Sequence, residues 1–243
     1  MLPALSPPHD LALHQAIETI TDRFAPVAIV ASGTIVRGTP SATSDLDIVV
    51  IHDQPWRQRV QCFFNGVPAE LFVNPAFQIR NAFVTEARDA RPVLAHMLAT
   101  GIIVLDRTGI GAELQAEANA NLAHGPLVPT GWLELRRYGI ATVFEDAVDL
   151  EEIDPDRSRT LAMQALTESI DWWFPAHGHW RPRSKSLLAD FQQHHPALGE
   201  TARQAIDAPH LDQCLAHTAT VLAGTIEATG FFAWESTPEP VDP

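Results

Sequence analysis

The chain has 243 residues, 46% hydrophobic and 19% charged, and a formal net charge of −14 at pH 7. That length suits one large domain or two small ones, each with its own core. No window is apolar over membrane length, and residues 1–10 lack a basic start and apolar core, so a cytoplasmic protein with no membrane segment is expected. An acidic surface repels phosphate backbones, which argues against general nucleic-acid binding; it attracts cationic molecules or simply aids solubility.

In chain order, apolar residues recur at helical spacing through Leu11, Leu13, Ile17, Ile20 and Phe24, predicting an opening amphipathic helix over 10–23. Short apolar runs at 27–31 and 46–51 read as buried strands. The runs 60–64 and 69–73 flank Asn65-Gly66, a two-residue hairpin signal. Pro68 predicts that the second of these strands begins late or lies at an edge. Helices follow over 77–90 and from near Pro92 to Gly101, then a last strand at 102–105.

Beyond that point strand signals vanish. Helical patterns cover 111–122, 132–150, 155–174 with Asp154 as N-cap, 185–194 capped by Ser184, 196–208 and 211–229. The expected fold class is a small mixed α/β domain over 1–108 followed by an all-α helical bundle over 109–235. A tail rich in Pro and Glu, 236–243, is expected to be disordered. Cys62 and Cys214 are the only cysteines, and neither lies in a metal-ligand or redox spacing.

The chemistry concentrates in Ser32-Gly33-Thr34-Ile35-Val36-Arg37-Gly38 and in Asp45-Leu46-Asp47. A buried strand ends in a glycine turn carrying a hydroxyl, and a second strand opens with Asp-x-Asp. Residues two apart in a strand face the same side, so Asp45 and Asp47 present both carboxylates to one point. Two carboxylates that close repel each other unless a divalent cation lies between them. Magnesium suits such a site, completed by water and phosphate oxygens. Gly33 lets backbone approach the phosphates, and the Thr34 hydroxyl can bond them. Glu70 lies in an otherwise apolar strand, where a charge is costly unless it meets water, a partner or a metal. If that strand neighbours the Asp45–Asp47 strand, Glu70 joins the cluster as a general base or as a metal ligand.

Gly33-Thr34, Asp45-Leu46-Asp47 and then Glu70 together resemble the polymerase-β-like nucleotidyltransferase superfamily. Its small bacterial members usually have Gly-Ser where this chain has Gly33-Thr34, and Arg37-Gly38 is similar to that family's turn, which implies that Arg37 joins Gly33 and Thr34 in contacting the nucleotide. The resemblance covers the first hundred residues; the helical half resembles, less specifically, the C-terminal domains of aminoglycoside nucleotidyltransferases. It implies Asp45 and Asp47 as ligands of Mg2+, Glu70 as base, and ATP or another nucleoside triphosphate lying between the domains. It also implies that Lys185, near the start of a helix, touches the triphosphate. An aminoglycoside-like acceptor follows from the resemblance together with the acidic charge.

Other features have plainer readings. Arg181 and Arg183 share the basic segment of Lys185 and could share its role. Arg136, Arg137, Glu145, Asp146 and Asp149 read as a solvated helix face, with a cleft for a cationic acceptor as the alternative. Trp172, Trp173 and Trp180 read as packing. His177, His179, His194 and His195 lack the spacing of a zinc site, and His96 reads as a satisfied histidine. The expected activity is transfer of a nucleoside monophosphate to a small hydroxyl-bearing molecule. The alternatives are modification of a protein or RNA, and a non-catalytic nucleotide-binding module.

Overall fold

The computed structural model describes residues 5–236 and 238. All but Ser236 and Pro238 of the expected tail therefore lie outside the described residues. The chain divides into two compact units, Met1–Ala87 with Pro92–Gly125, and Arg88–Arg91 with Pro126–Pro243.

The first unit is a five-stranded mixed sheet with helices on both faces. Helix α1 (Pro7–Phe24) leads into β1 (Ala28–Ser32), the short α2 (Gly33–Val36) and β2 (Leu46–His52). Then come β3 (Gln58–Phe64), β4 (Val67–Pro75), α3 (Ala76–Arg88), α4 (Leu94–Thr100), β5 (Ile102–Asp106) and α5 (Ile110–His124). The strand order is β3-β4-β2-β1-β5. Strands β2 and β4 run parallel; the other neighbours are antiparallel.

Alternation along the strands separates two cores. Ile29, Ala31, Leu46, Ile48, Val50, Leu71 and Val73 pack with Leu13, Ala16 and Ile20 of α1. On the other face, Val30, Val49, Ile51 and Phe72 pack with Ile79, Phe83, Leu98 and Leu114 of α3, α4 and α5. Each such Val, Leu, Ile or Phe side chain, fully buried, contributes on the order of 1.5–3 kcal/mol.

Three expectations for the first unit are refined or corrected. First, β4 is interior to the sheet and includes Pro68. Pro68 pairs with Phe63 one step beyond the hairpin-closing pair Phe64–Val67. By the antiparallel alternation its missing N–H would have pointed away from β3, and the ladder to β2 begins only at Ala69, so no bond is lost. Second, α4 starts at Leu94, two residues past the expected start near Pro92, because the Glu86 carboxylate accepts from the Leu94 and Ala95 N–H groups at 2.6 and 3.1 Å. Third, α5, expected to open the helical half beyond residue 108, belongs to the first unit, which runs to Gly125. Leu114 and Ala118 of α5 are buried in the second sheet face, and Gln115 Nε2 donates to the Leu98 and Gly101 carbonyls.

Gly101, between α4 and β5, is required by space. A Cβ there would lie 2.6 Å from both the Met97 carbonyl oxygen and Val30 Cγ1. Gly101→Ala is expected to cost about 1–3 kcal/mol through overpacking, read as a lower urea midpoint with an unchanged slope.

The second unit consists of α6 (Thr130–Asp149), α7 (Pro155–Ala176), α8 (Leu187–His194), α9 (Pro196–Asp207) and α10 (Leu211–Thr225). One core joins α6, α7 and α10 through Ile140, Phe144, Ala162, Cys214 and Leu222. A second joins α7 to α10 through Ile170, Trp173, Phe191, Ala202 and Val221. Asp154 caps α7 as its sequence position predicts, accepting from the Arg157 N–H at 3.0 Å. Helix α8 begins at Leu187, so Lys185 precedes the helix, and Ser184 is not its cap. Both cysteines are free thiols. No helix among the described residues is long and apolar enough to cross a membrane.

Candidate active site

The carboxylates meet where β2 and β4 begin. In the parallel pair Asp47 lies directly beside Glu70. Both fall, by period two, on the sheet face of Val49, Ile51 and Phe72. Along β2 the side chains pass from the fully buried Val49 to the half-buried Asp47, so the helical cover ends between them and leaves the carboxylates reachable. Asp45 precedes the first strand residue, Leu46, and enters the cluster from the connecting turn rather than from the strand itself. Donor oxygens of Asp45, Asp47 and Glu70 lie within 4.8 Å of one another. Among the described residues this is the one group of three or more His, Cys, Asp or Glu side chains close enough to hold a metal ion.

Gly33 forms the opposite wall. Its φ is +92°, and a Cβ would stand 2.8 Å from Asp47 Oδ2 and 3.5 Å from the Asp45 carbonyl oxygen. Glycine is needed twice over, for the backbone conformation and for the close approach. It opens α2, whose first-turn N–H groups have no helical acceptor. Thr34 Oγ1 is 2.7 Å from Ser44 Oγ, and Ser44 Oγ also accepts from the Ser41 N–H at 2.8 Å. The hydroxyl thus ties α2 to the turn that delivers Asp45. Ser44 has no sequence signal beyond its place beside Asp45.

The electrostatics suit a cation. Burial, then the charges of Asp45 and Glu70, push Asp47 up to about 6, against opposing pulls from Arg59 and Arg37. Three negative groups at this spacing, one held partly out of water, fit a divalent ion with oxygen ligands such as Mg2+. Glu70 differs. Arg59 Nε and Gln61 Nε2 donate to its Oε1 at 2.7 and 3.1 Å, leaving Oε2 with no protein partner among the described residues. The bond from Arg59 holds Glu70 below the usual carboxylate range despite its burial. The Arg59 guanidinium lies 3.5 Å over the Phe72 ring, which fixes its position.

Arg59 and Gln61 were legible in principle. A two-residue loop at Asn65-Gly66 sets the hairpin register that places Gln61 opposite Glu70 and Arg59 opposite Phe72. Strand β3 is largely exposed and alternates toward solvent, so its charges carry no local signal of a buried partner. Of the expected nucleotide contacts, Gly33 and Thr34 border the carboxylates, and Arg37, at the end of α2, is close enough for its charge to act on Asp47. Lys185 is exposed in the turn before α8, in the second unit. In that unit Arg181 is bonded to Asp171, and Arg137 donates to the Ile226 carbonyl and stacks over Phe232. Trp173 is buried amid the rings of Phe174, Phe191, His177, His179, His194 and His195.

No family model and no curated protein sequence matches the chain. Among solved structures it is similar to a nucleotidyltransferase-like protein from Exiguobacterium sibiricum, at 15% identity and a TM-score of 0.56. The match covers 88% of this chain and 74% of that one. The mixed five-stranded sheet and the helical region after it are therefore those of the nucleotidyltransferase-like fold.

Proposed function

We propose that the protein is a metal-dependent nucleotidyltransferase that moves a nucleoside monophosphate, AMP from ATP in the leading case, onto a hydroxyl of a small acceptor with release of pyrophosphate. The observation that carries this reading is the carboxylate triad with Gly33 against Asp47 Oδ2. A cluster of acids alone is common. A cluster walled by a glycine that leaves no room for a methyl group, on this fold, is a built site.

Asp45 and Asp47 would hold Mg2+, which when bound supplies charge neutralisation for the attacked phosphate and for the leaving pyrophosphate. The protein's own residues do the rest. Gly33 and the first turn of α2 leave backbone donors beside the carboxylates, and the Thr34–Ser44 bond fixes that turn. Arg37 adds positive charge on the same side. For Glu70, the weakened basicity imposed by Arg59 favours the role of ligand over that of proton acceptor. Lys185 remains a proposed contact to the triphosphate. The net charge of −14 supports a cationic acceptor, aminoglycoside-like in chemistry. A cytoplasmic location fits the requirement for nucleoside triphosphate.

Thermal shift and calorimetry with ATP, with and without Mg2+, test this reading on wild type and on the Asp45→Asn/Asp47→Asn variant. Magnesium-dependent stabilisation in the wild type, absent from the variant, is the expected result. Glu70→Gln should weaken metal binding as well as turnover; a loss of turnover alone would return Glu70 to the role of base. If no nucleoside triphosphate shifts the wild type, the reading fails.

A further inference from the structure

The second unit contains a cavity of about 220 Å³ whose lining includes Arg91, Arg136, Arg181, Glu168, Asp171 and Ser184. The three arginines come from three separate places, the segment before α4, helix α6 and the segment before α8. Converging from unrelated parts of the chain, they face two carboxylates. Asp171 Oδ2 serves two guanidiniums at once, bonded to Arg181 and 3.9 Å from Arg136, too long for a hydrogen bond. Glu168 accepts from Gln164 Nε2 at 3.0 Å, so part of its capacity is spent outside the arginine group.

The donors outnumber their acceptors. The Nε–H groups of both Arg136 and Arg181 are shut off from solvent with no hydrogen-bond partner. Arg91 makes no hydrogen bond or ion pair among the described residues. An Nε–H shut off from solvent is also out of reach of a ligand in the cavity, so what these side chains can offer it is their terminal N–H groups. The Arg136 guanidinium lies over the Trp132 ring at 5.1 Å, and the Arg181 guanidinium is bonded to Asp171. Two of the three guanidiniums are thus anchored before any ligand arrives, which lowers the ordering cost of binding.

We infer that this cavity binds a compact oxyanion of the phosphate class, with Arg91, Arg136 and Arg181 as its donors. Guanidinium groups match phosphate oxygens in a planar fork, and the Ser184 hydroxyl adds a neutral donor at the rim. Asp171 orients the Arg181 fork and offsets part of the repulsion among the guanidiniums. The inference is independent of the carboxylate site in the first unit. The phosphate could belong to a nucleotide or to a separate phosphorylated molecule, and the chemistry recognised is the same.

Calorimetric titration of the full chain with inorganic pyrophosphate and with orthophosphate, in metal-free buffer, tests it. Wild type should bind pyrophosphate, and Arg91→Gln and Arg136→Gln should each weaken binding about tenfold. Arg91→Gln removes no bond of the folded protein, so its effect is not one of misfolding. The Asp45→Asn/Asp47→Asn variant should bind as wild type does, which separates this site from the carboxylates. Competition by ATP would assign the phosphate to the nucleotide; simultaneous binding would assign it to another molecule. Absence of binding in the wild type, or equal affinity in the arginine variants, would overturn the inference.

Discussion

Asp47→Asn is expected to abolish nucleotidyl transfer and metal-dependent stabilisation while making the metal-free protein more stable at neutral pH. The side chain sits partly buried with Asp45 and Glu70 oxygens within 4.8 Å, and its pKa is pushed up to about 6. A carboxyl with a raised pKa favours the folded state when protonated. Its ionised form therefore opposes folding above about pH 6, and that opposition is relieved as pH falls from about 6 toward the ordinary value of 3.8. The full shift would correspond to about 3 kcal/mol; the solvent that still reaches the group reduces this to roughly 1–1.5 kcal/mol. Asn keeps the shape and drops the charge, so the variant should melt about 3–5 °C higher in EDTA at pH 7.5. It should also lose the wild type's gain in midpoint between pH 7 and 5. With Mg2+ and ATP the order reverses, because only the wild type is stabilised by them. A variant that is less stable than wild type in EDTA would mean that the cluster is not a site of stored repulsion.

Gly33→Ala should do comparable damage by geometry alone, without touching a charge. Its Cβ would lie 2.8 Å from Asp47 Oδ2, and the backbone at φ +92° is one that alanine adopts only under strain. Either the carboxylate swings aside or the turn before α2 moves. Displacing a group that sets a metal ligand costs about 10–100-fold in metal affinity, and a misplacement of about 1 Å costs on the order of 100-fold in rate. Manganese binding followed by electron paramagnetic resonance, with far-UV circular dichroism as a check on folding, measures the first. Undiminished manganese affinity in folded Gly33→Ala would show that the contact between Gly33 and Asp47 does not position the site.

These two residues also show how far the sequence reached. The order of strands and helices was legible because period-two and period-3.6 apolar patterns are local, and every predicted element of the sheet domain is present within a few residues. The residues of the triad were legible because a carboxylate in an apolar strand has few cheap explanations. What neighbour each would have was not. The pairing of β2 with β4, which sets Asp47 beside Glu70, joins segments separated by the whole β3 hairpin, and no local pattern encodes it. Likewise the burial that lifts Asp47, and the Arg59 clamp that holds Glu70 down, depend on which strands lie adjacent.

The boundary between the units followed the same rule. Helix α5 has the pattern of the helices after it, and only its packing of Leu114 and Ala118 on the sheet assigns it to the first unit. The arginines of the second unit make the contrast sharpest. In sequence Arg91, Arg136 and Arg181 lie in three separate stretches of an acidic chain, with nothing to connect them. The sequence by itself determined the element types, the two-part layout and the three acids, since each rests on local periodicity or on the cost of a charge among apolar neighbours. Only the tertiary structure decided which charges face one another, because electrostatic energy depends on distances in space that folding, not chain order, brings down to a few ångströms.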